Sequence, residues 1–150
     1  MTDLLKYIKE IECLKIFRTE MYPLKSFYEK LKQLNKQELK TEDIILIPFY
    51  IDNGKRYELY DYELSIKCID NEINVESYTN KIFKNLAENE MPKELIEKNR
   101  IRFIPIKNNK VSKEKIVQYL EYILASQEIR DTILQIFGDF NIEKLYFEIF

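Results

Sequence analysis

The chain has 150 residues, 24 basic and 26 acidic side chains, no histidine, and two glycines, Gly54 and Gly138. That length predicts one domain, residues 1–150, able to bury a core without a metal or disulfide staple. The missing histidine excludes a histidine general base, a Ser-His or Cys-His nucleophile and a histidine zinc site, and two glycines cannot build a P-loop, a dinucleotide fingerprint or a nucleophile elbow.

Residues 2–18 predict a helix: Thr2 or Asp3 can cap it, and Leu4, Ile8, Ile11 and Leu14 recur at helical spacing. Residues 23–36 predict a second, opened by Pro23 and striped by Leu24, Phe27, Leu31 and Leu34. Ile44–Ile51 is rich in branched residues and predicts a strand, with Pro48 marking it as an edge or a bulge. Asp52-Asn53-Gly54-Lys55 is a hairpin signal, and Arg56–Glu63 is the expected return strand. Ser65–Ile69 and Ile73–Val75 predict another antiparallel pair, so the middle of the chain reads as a meander. Ser77 opens a helix through Leu86, Pro92 a short turn to Asn99, and Arg100–Ile106 alternates as a strand. Asn108-Asn109 turns the chain. Ser112 caps a helix with Ile116, Leu120, Ile123 and Leu124 inside. Ser126 caps its continuation, with Ile129, Ile133 and Ile136 inside and Gly138 ending it in a left-handed conformation. Residues 139–150 should dock on the body. The expected fold is α+β: two N-terminal helices, a small and mainly antiparallel sheet with hairpins, and C-terminal helices packed on it.

Cys13 and Cys68 lie far apart, flanked by apolar residues, and read as buried free thiols ahead of a disulfide. The N-terminus shows no basic segment followed by an apolar run, and Ile44–Ile51 is too short to span a bilayer, so a cytoplasmic protein with no membrane partner is expected.

Charge is segregated. Residues 1–40 carry a net +3, residues 41–99 a net −6, and Lys98–Lys115 alone a net +6. Within the acidic middle, Tyr57-Glu58-Leu59-Tyr60-Asp61-Tyr62-Glu63 interleaves carboxylates with tyrosines, which supply rigid amphipathic contact area at interfaces. Tyr57, Glu58, Tyr60, Asp61, Tyr62 and Glu63 are therefore the candidate protein-binding residues; the alternative places Tyr57 and Leu59 in the core, with Tyr60 and Tyr62 half exposed. Asp61, Glu63 and Lys67 have the residue types of a metal-dependent nuclease at the wrong spacing, and no metal or cofactor is expected. In the basic segment, Arg100, Arg102, Lys107, Lys110 and Lys113 lead into a helix start near Ser112, a combination that can hold phosphate.

The segment Arg100-Ile101-Arg102-Phe103-Ile104-Pro105-Ile106, the helix Tyr119-Leu120-Glu121-Tyr122-Ile123-Leu124-Ala125-Ser126 with Ile129-Arg130, then Gly138 and Asn141–Leu145, resembles the tail of a target-recognition domain in the DNA-specificity subunits of type I restriction–modification systems. The match covers about a third of the chain and is mostly strand, turn and helix. It departs from the family upstream, where the glycine turns and the long spacer helix are missing. The resemblance implies DNA-sequence reading within a larger complex, with Arg100, Arg102 and Lys107 at the matched basic positions.

These observations favour a non-enzymatic interaction protein: a small regulator or inhibitor that presents an acidic, tyrosine-bearing face to another macromolecule. A mobile-element inhibitor of a nucleic-acid-handling host defence enzyme has this profile. The alternative is a DNA-recognition accessory that uses the basic segment 98–115.

Overall fold

The computed structural model describes residues 2–68 and 101–150. The fold is α+β. Its elements run α1 (Asp3–Lys9), β1 (Leu14–Ile16), β2 (Thr19–Pro23), α2 (Leu24–Gln33), β3 (Glu38–Lys40), β4 (Ile44–Asp52), β5 (Lys55–Glu58), a single 3₁₀ turn (Tyr60–Tyr62), β6 (Leu64–Cys68), β7 (Phe103–Ile106), β8 (Lys110–Ser112), α3 (Lys113–Leu124), α4 (Gln127–Phe137), a second 3₁₀ turn (Ile142–Lys144) and β9 (Leu145–Ile149).

The main sheet runs β1-β2-β9-β4-β6-β7, with β5 also on β4, and β3 and β8 form a separate two-stranded ladder. β9 lies between β2 and β4, antiparallel to both. Helices cover one face of the sheet. Phe147 of β9 packs at a tilt against Phe27 of α2, with ring centroids 5.2 Å apart, and Tyr50 of β4 meets Phe137 of α4 at 4.9 Å. Ile116, Leu120 and Ile123 of α3 complete this core. The opposite face carries Phe49, with the Arg56 guanidinium 3.6 Å above its ring and Tyr146 beside it. Arg56 also bonds Glu58 and Glu148. Burial works against its charge, but the two carboxylates outweigh this and raise its pKa.

The expected helix over residues 2–18 is cut short. α1 ends at Lys9, and Leu14 enters a hairpin in which Leu14, Lys15 and Ile16 oppose Met21, Glu20 and Thr19. Leu14 matched the helical period, but β2 pairs with β1 on one side and with β9 on the other, and this long-range pairing overrides the local pattern. The second helix spans Leu24–Gln33, with Pro23 as its N-cap.

Pro48 sits in the sheet's centre, not at an edge. In an antiparallel strand one residue's N–H and C=O point the same way. The Pro48 carbonyl accepts from Leu59 N at 3.0 Å, on the side where β4's partner changes from β5 to β6. The missing donor falls in that changeover, so no ladder bond is lost.

Asn53-Gly54 forms the predicted two-residue turn, with φ of 51° and 76°. The expected return strand stops at Glu58 because the chain rises into the 3₁₀ turn. β7 runs parallel to β6, which replaces the expected meander at this edge. The strand at Ile73–Val75, the helix from Ser77, the turn from Pro92 and Arg100 lie outside the described residues. The strand expected from Arg100 begins only at Phe103, and residues 101–102 are helical.

The C-terminal half follows its signals closely. Asn108 and Asn109 turn at φ 54° and 59°. The Ser126 side chain accepts from Ile129 N, and Gly138 ends α4 at φ 77°. Ile136 is exposed, at 37%, whereas Ile129 and Ile133 are buried. Both cysteines are free thiols, but Cys68 is exposed and Cys13 only half-buried, because both stand at strand ends.

Candidate acidic cleft and lysine ladder

The tyrosine-carboxylate segment is brought to one place by the break in β5. Leu59 turns out of the strand and is itself buried. Tyr62 N then donates to Leu59 O and Glu63 N to Tyr60 O, closing the 3₁₀ turn. The segment forms one wall of a cleft of about 250 Å³, and the first turns of α4 form the other through Glu128, Ile129 and Thr132. Five of the six expected residues line it: Tyr57, Glu58, Tyr60, Asp61 and Tyr62. Glu63 does not. Its backbone carbonyl is bound by Arg102 Nε at 3.1 Å, behind the cleft.

Three carboxylates, Glu58, Asp61 and Glu128, face this space, and among the described residues no lysine or arginine lines it. Glu58 is already tied to Arg56, while Asp61 and Glu128 stand exposed. Tyr60 is 62% exposed and forms the lip. Tyr62, expected to be half exposed, is 4% exposed and forms the floor. Burial and then hydrogen bonding toward Glu128 push its pKa well above the ordinary tyrosine value. Tyr119, fully buried below, donates to the Tyr62 carbonyl at 2.7 Å and so anchors the turn to α3. The α4 wall was not foreseen. Ser126 and Ile129 marked the helix, but no sequence pattern ties Glu128 to Tyr60 across some seventy residues.

The basic segment is divided. Arg102 is engaged with the Glu63 carbonyl, and Lys113 donates through Nζ to Leu34 O at 2.7 Å, closing the end of α2. Arg100 lies outside the described residues. At the helix start near Ser112, Lys113 N donates to Gln37 O, and the Ser112 side chain makes no capping bond. Lys107 and Lys110 do come together, opposed across the Asn108-Asn109 turn. The β3–β8 register then sets Lys40 opposite Lys110. Three exposed ammoniums thus share one row across neighbouring strands, without a carboxylate partner among the described residues. Leu39 and Val111, on the other side of this ladder, are buried. Lys40 was missed because only the strand register brings residue 40 beside residue 110.

Among the described residues no group of histidine, cysteine or carboxylate side chains is placed to hold a metal ion, and no helix is long and apolar enough to cross a membrane. No family model matches the chain, and no curated protein or solved structure does either.

Proposed function

We propose that this chain is an interaction protein whose acidic cleft receives a basic element of a macromolecular partner. One observation carries the reading: three carboxylates and three tyrosines converge on a single cleft that no cation lines among the described residues. A lysine or arginine entering it meets the exposed carboxylates of Asp61 and Glu128, and Tyr57 and Tyr60 can flank its stem. Aromatic faces and carboxylates together are the usual recognition surface for a guanidinium. In its narrower form the reading is an inhibitor that occupies a basic groove of a nucleic-acid-handling enzyme, which supplies many such elements.

The test uses a fluorescent arginine-rich octapeptide and the intact chain. Binding should weaken with rising salt and fall at least tenfold in Asp61→Lys/Glu128→Lys, with the melting temperature unchanged. Equal binding by the double variant would remove the cleft from consideration.

The Lys40–Lys110–Lys107 row favours a second reading, in which the chain also contacts a nucleic-acid backbone. Like charges directly opposed on a sheet destabilise it, and a phosphate run would relieve that repulsion. If so, duplex DNA binding at low salt should disappear in Lys107→Glu/Lys110→Glu and persist in the cleft variant.

A further inference from the structure

Strand β1 forms the outer edge of the sheet, and all three of its residues are exposed. Edge strands are normally blunted by charge, proline or a covering segment. Here Leu14 and Ile16 stand at 39% and 38% exposure, and Phe17, at the hairpin tip, is 97% exposed. The tip is also strained. Phe17 and Arg18 form the two-residue turn at φ 49° and 68°, left-handed positions that cost a bulky side chain about 1–2 kcal/mol each. Within a single chain nothing offsets that cost, because the Phe17 ring touches little.

The opposite end of the same edge has a complementary charge. The turn Glu10-Ile11-Glu12, together with Ser26, Glu29 and Lys30 of α2, outlines a groove of about 250 Å³. Its only cation among the described residues, Lys30, is already held by Glu10 at 2.7 Å, so Glu12 and Glu29 leave the groove acidic. A strand edge with a cationic, aromatic tip at one end and an acidic groove at the other is self-complementary under a two-fold rotation, as an isologous contact requires.

We propose that β1 pairs antiparallel with β1 of a second copy of this chain. The register follows from the hairpin. A two-residue turn makes Ile16–Thr19 and Leu14–Met21 the hydrogen-bonded pairs, so Lys15 and Cys13 turn their backbone groups outward. Cys13 of one copy then faces Lys15 of the other, and the two Leu14 side chains meet on the axis. The alternative register, centred on Lys15, would set two ammoniums face to face and is disfavoured. The chosen register carries each Phe17 toward the other copy's groove and each Arg18 toward its Glu12 and Glu29. The contact continues the six-strand path across the two-fold into one sheet. This proposal is independent of the acidic cleft, which lies elsewhere on the molecule.

The intact chain should sediment as a concentration-dependent dimer between low micromolar and submillimolar protein. Phe17→Asp should weaken association at least tenfold with its melting temperature retained. Arg18→Glu should weaken it less, and adding Glu12→Arg should restore it. In a Cys13→Ser/Cys68→Ser background, Leu14→Cys should form an intermolecular disulfide under mild oxidation, since the two residues face each other on the axis. A chain that stays monomeric throughout overturns the proposal and leaves the hairpin to a different protein. A dimer indifferent to Phe17→Asp, or one in which Leu14→Cys fails to cross-link, overturns it as well.

Discussion

Strand β9 reads Leu-Tyr-Phe-Glu-Ile and strand β1 reads Leu-Lys-Ile, each alternating apolar with polar or amphipathic residues. β9 has a strand on both sides and helices above, so Leu145 and Phe147 are fully buried. Among the described residues β1 has one neighbouring strand and no cover, and Leu14 and Ile16 are exposed. The residue pattern defines a strand in both cases, but position in the sheet decides whether its apolar face is core or surface. What separates the two is the number of partners, which alternation does not encode.

The largest test of this contrast replaces an aromatic in each strand's neighbourhood. Phe147→Ala should cost about 3–5 kcal/mol, since it empties the space between Tyr22 and Phe27. Phe17→Ala should change stability by less than about 0.5 kcal/mol, as expected of an exposed site. Paired urea titrations measure both, and comparable losses would dissolve the distinction.

A second change sharpens it in the opposite direction. Phe17→Asn/Arg18→Gly gives the β1–β2 hairpin the residues its backbone angles favour and should raise stability by about 1–2 kcal/mol. A stabilised hairpin that no longer self-associates would show that the strained tip is retained for contact and not for folding.

The smallest expected effect lies under the cleft. Tyr119→Phe removes the bond to the Tyr62 carbonyl and should cost about 1 kcal/mol. It should also flatten the alkaline limb of the stability curve. Burial raises the pKa of Tyr119 and, with Glu128, that of Tyr62. An acid held protonated by the fold contributes its full stability below its unfolded value, about 10 for tyrosine, and loses it as pH rises further. Thermal melts on either side of that value should show stability falling upward through it, less steeply in Tyr119→Phe.

Local chemistry explains how much of this was legible in advance. Turn residues with positive φ, the Ser126 cap, the Gly138 stop and the α3 stripe were readable because neighbours in sequence determine them. The N-terminal hairpin was not, because Leu14 fits a helical period and its strand depends on β9, more than a hundred residues away. The same split runs through the candidate sites. Tyr57–Tyr62 is contiguous and was visible, whereas Glu128 and Lys40 join their clusters only through packing and register. The Phe17 tip had no signal at all, since an aromatic in a left-handed turn runs against turn statistics.

The place of β9 has a further consequence for how the molecule is made. It is the last described strand to be synthesised, yet it fills the gap between β2 and β4. Until the ribosome has released residue 149, the nascent sheet is two unconnected halves, each with an open inner edge. Such long-range closure makes folding slow and leaves β4 exposed to mispairing in the interval. The β4 strand, Ile-Ile-Leu-Ile-Pro-Phe-Tyr-Ile-Asp, is the most apolar stretch in the chain. Pro48 at its midpoint therefore guards a nascent edge as well as fitting a finished one, because a proline interrupts the strand stacking through which such segments aggregate.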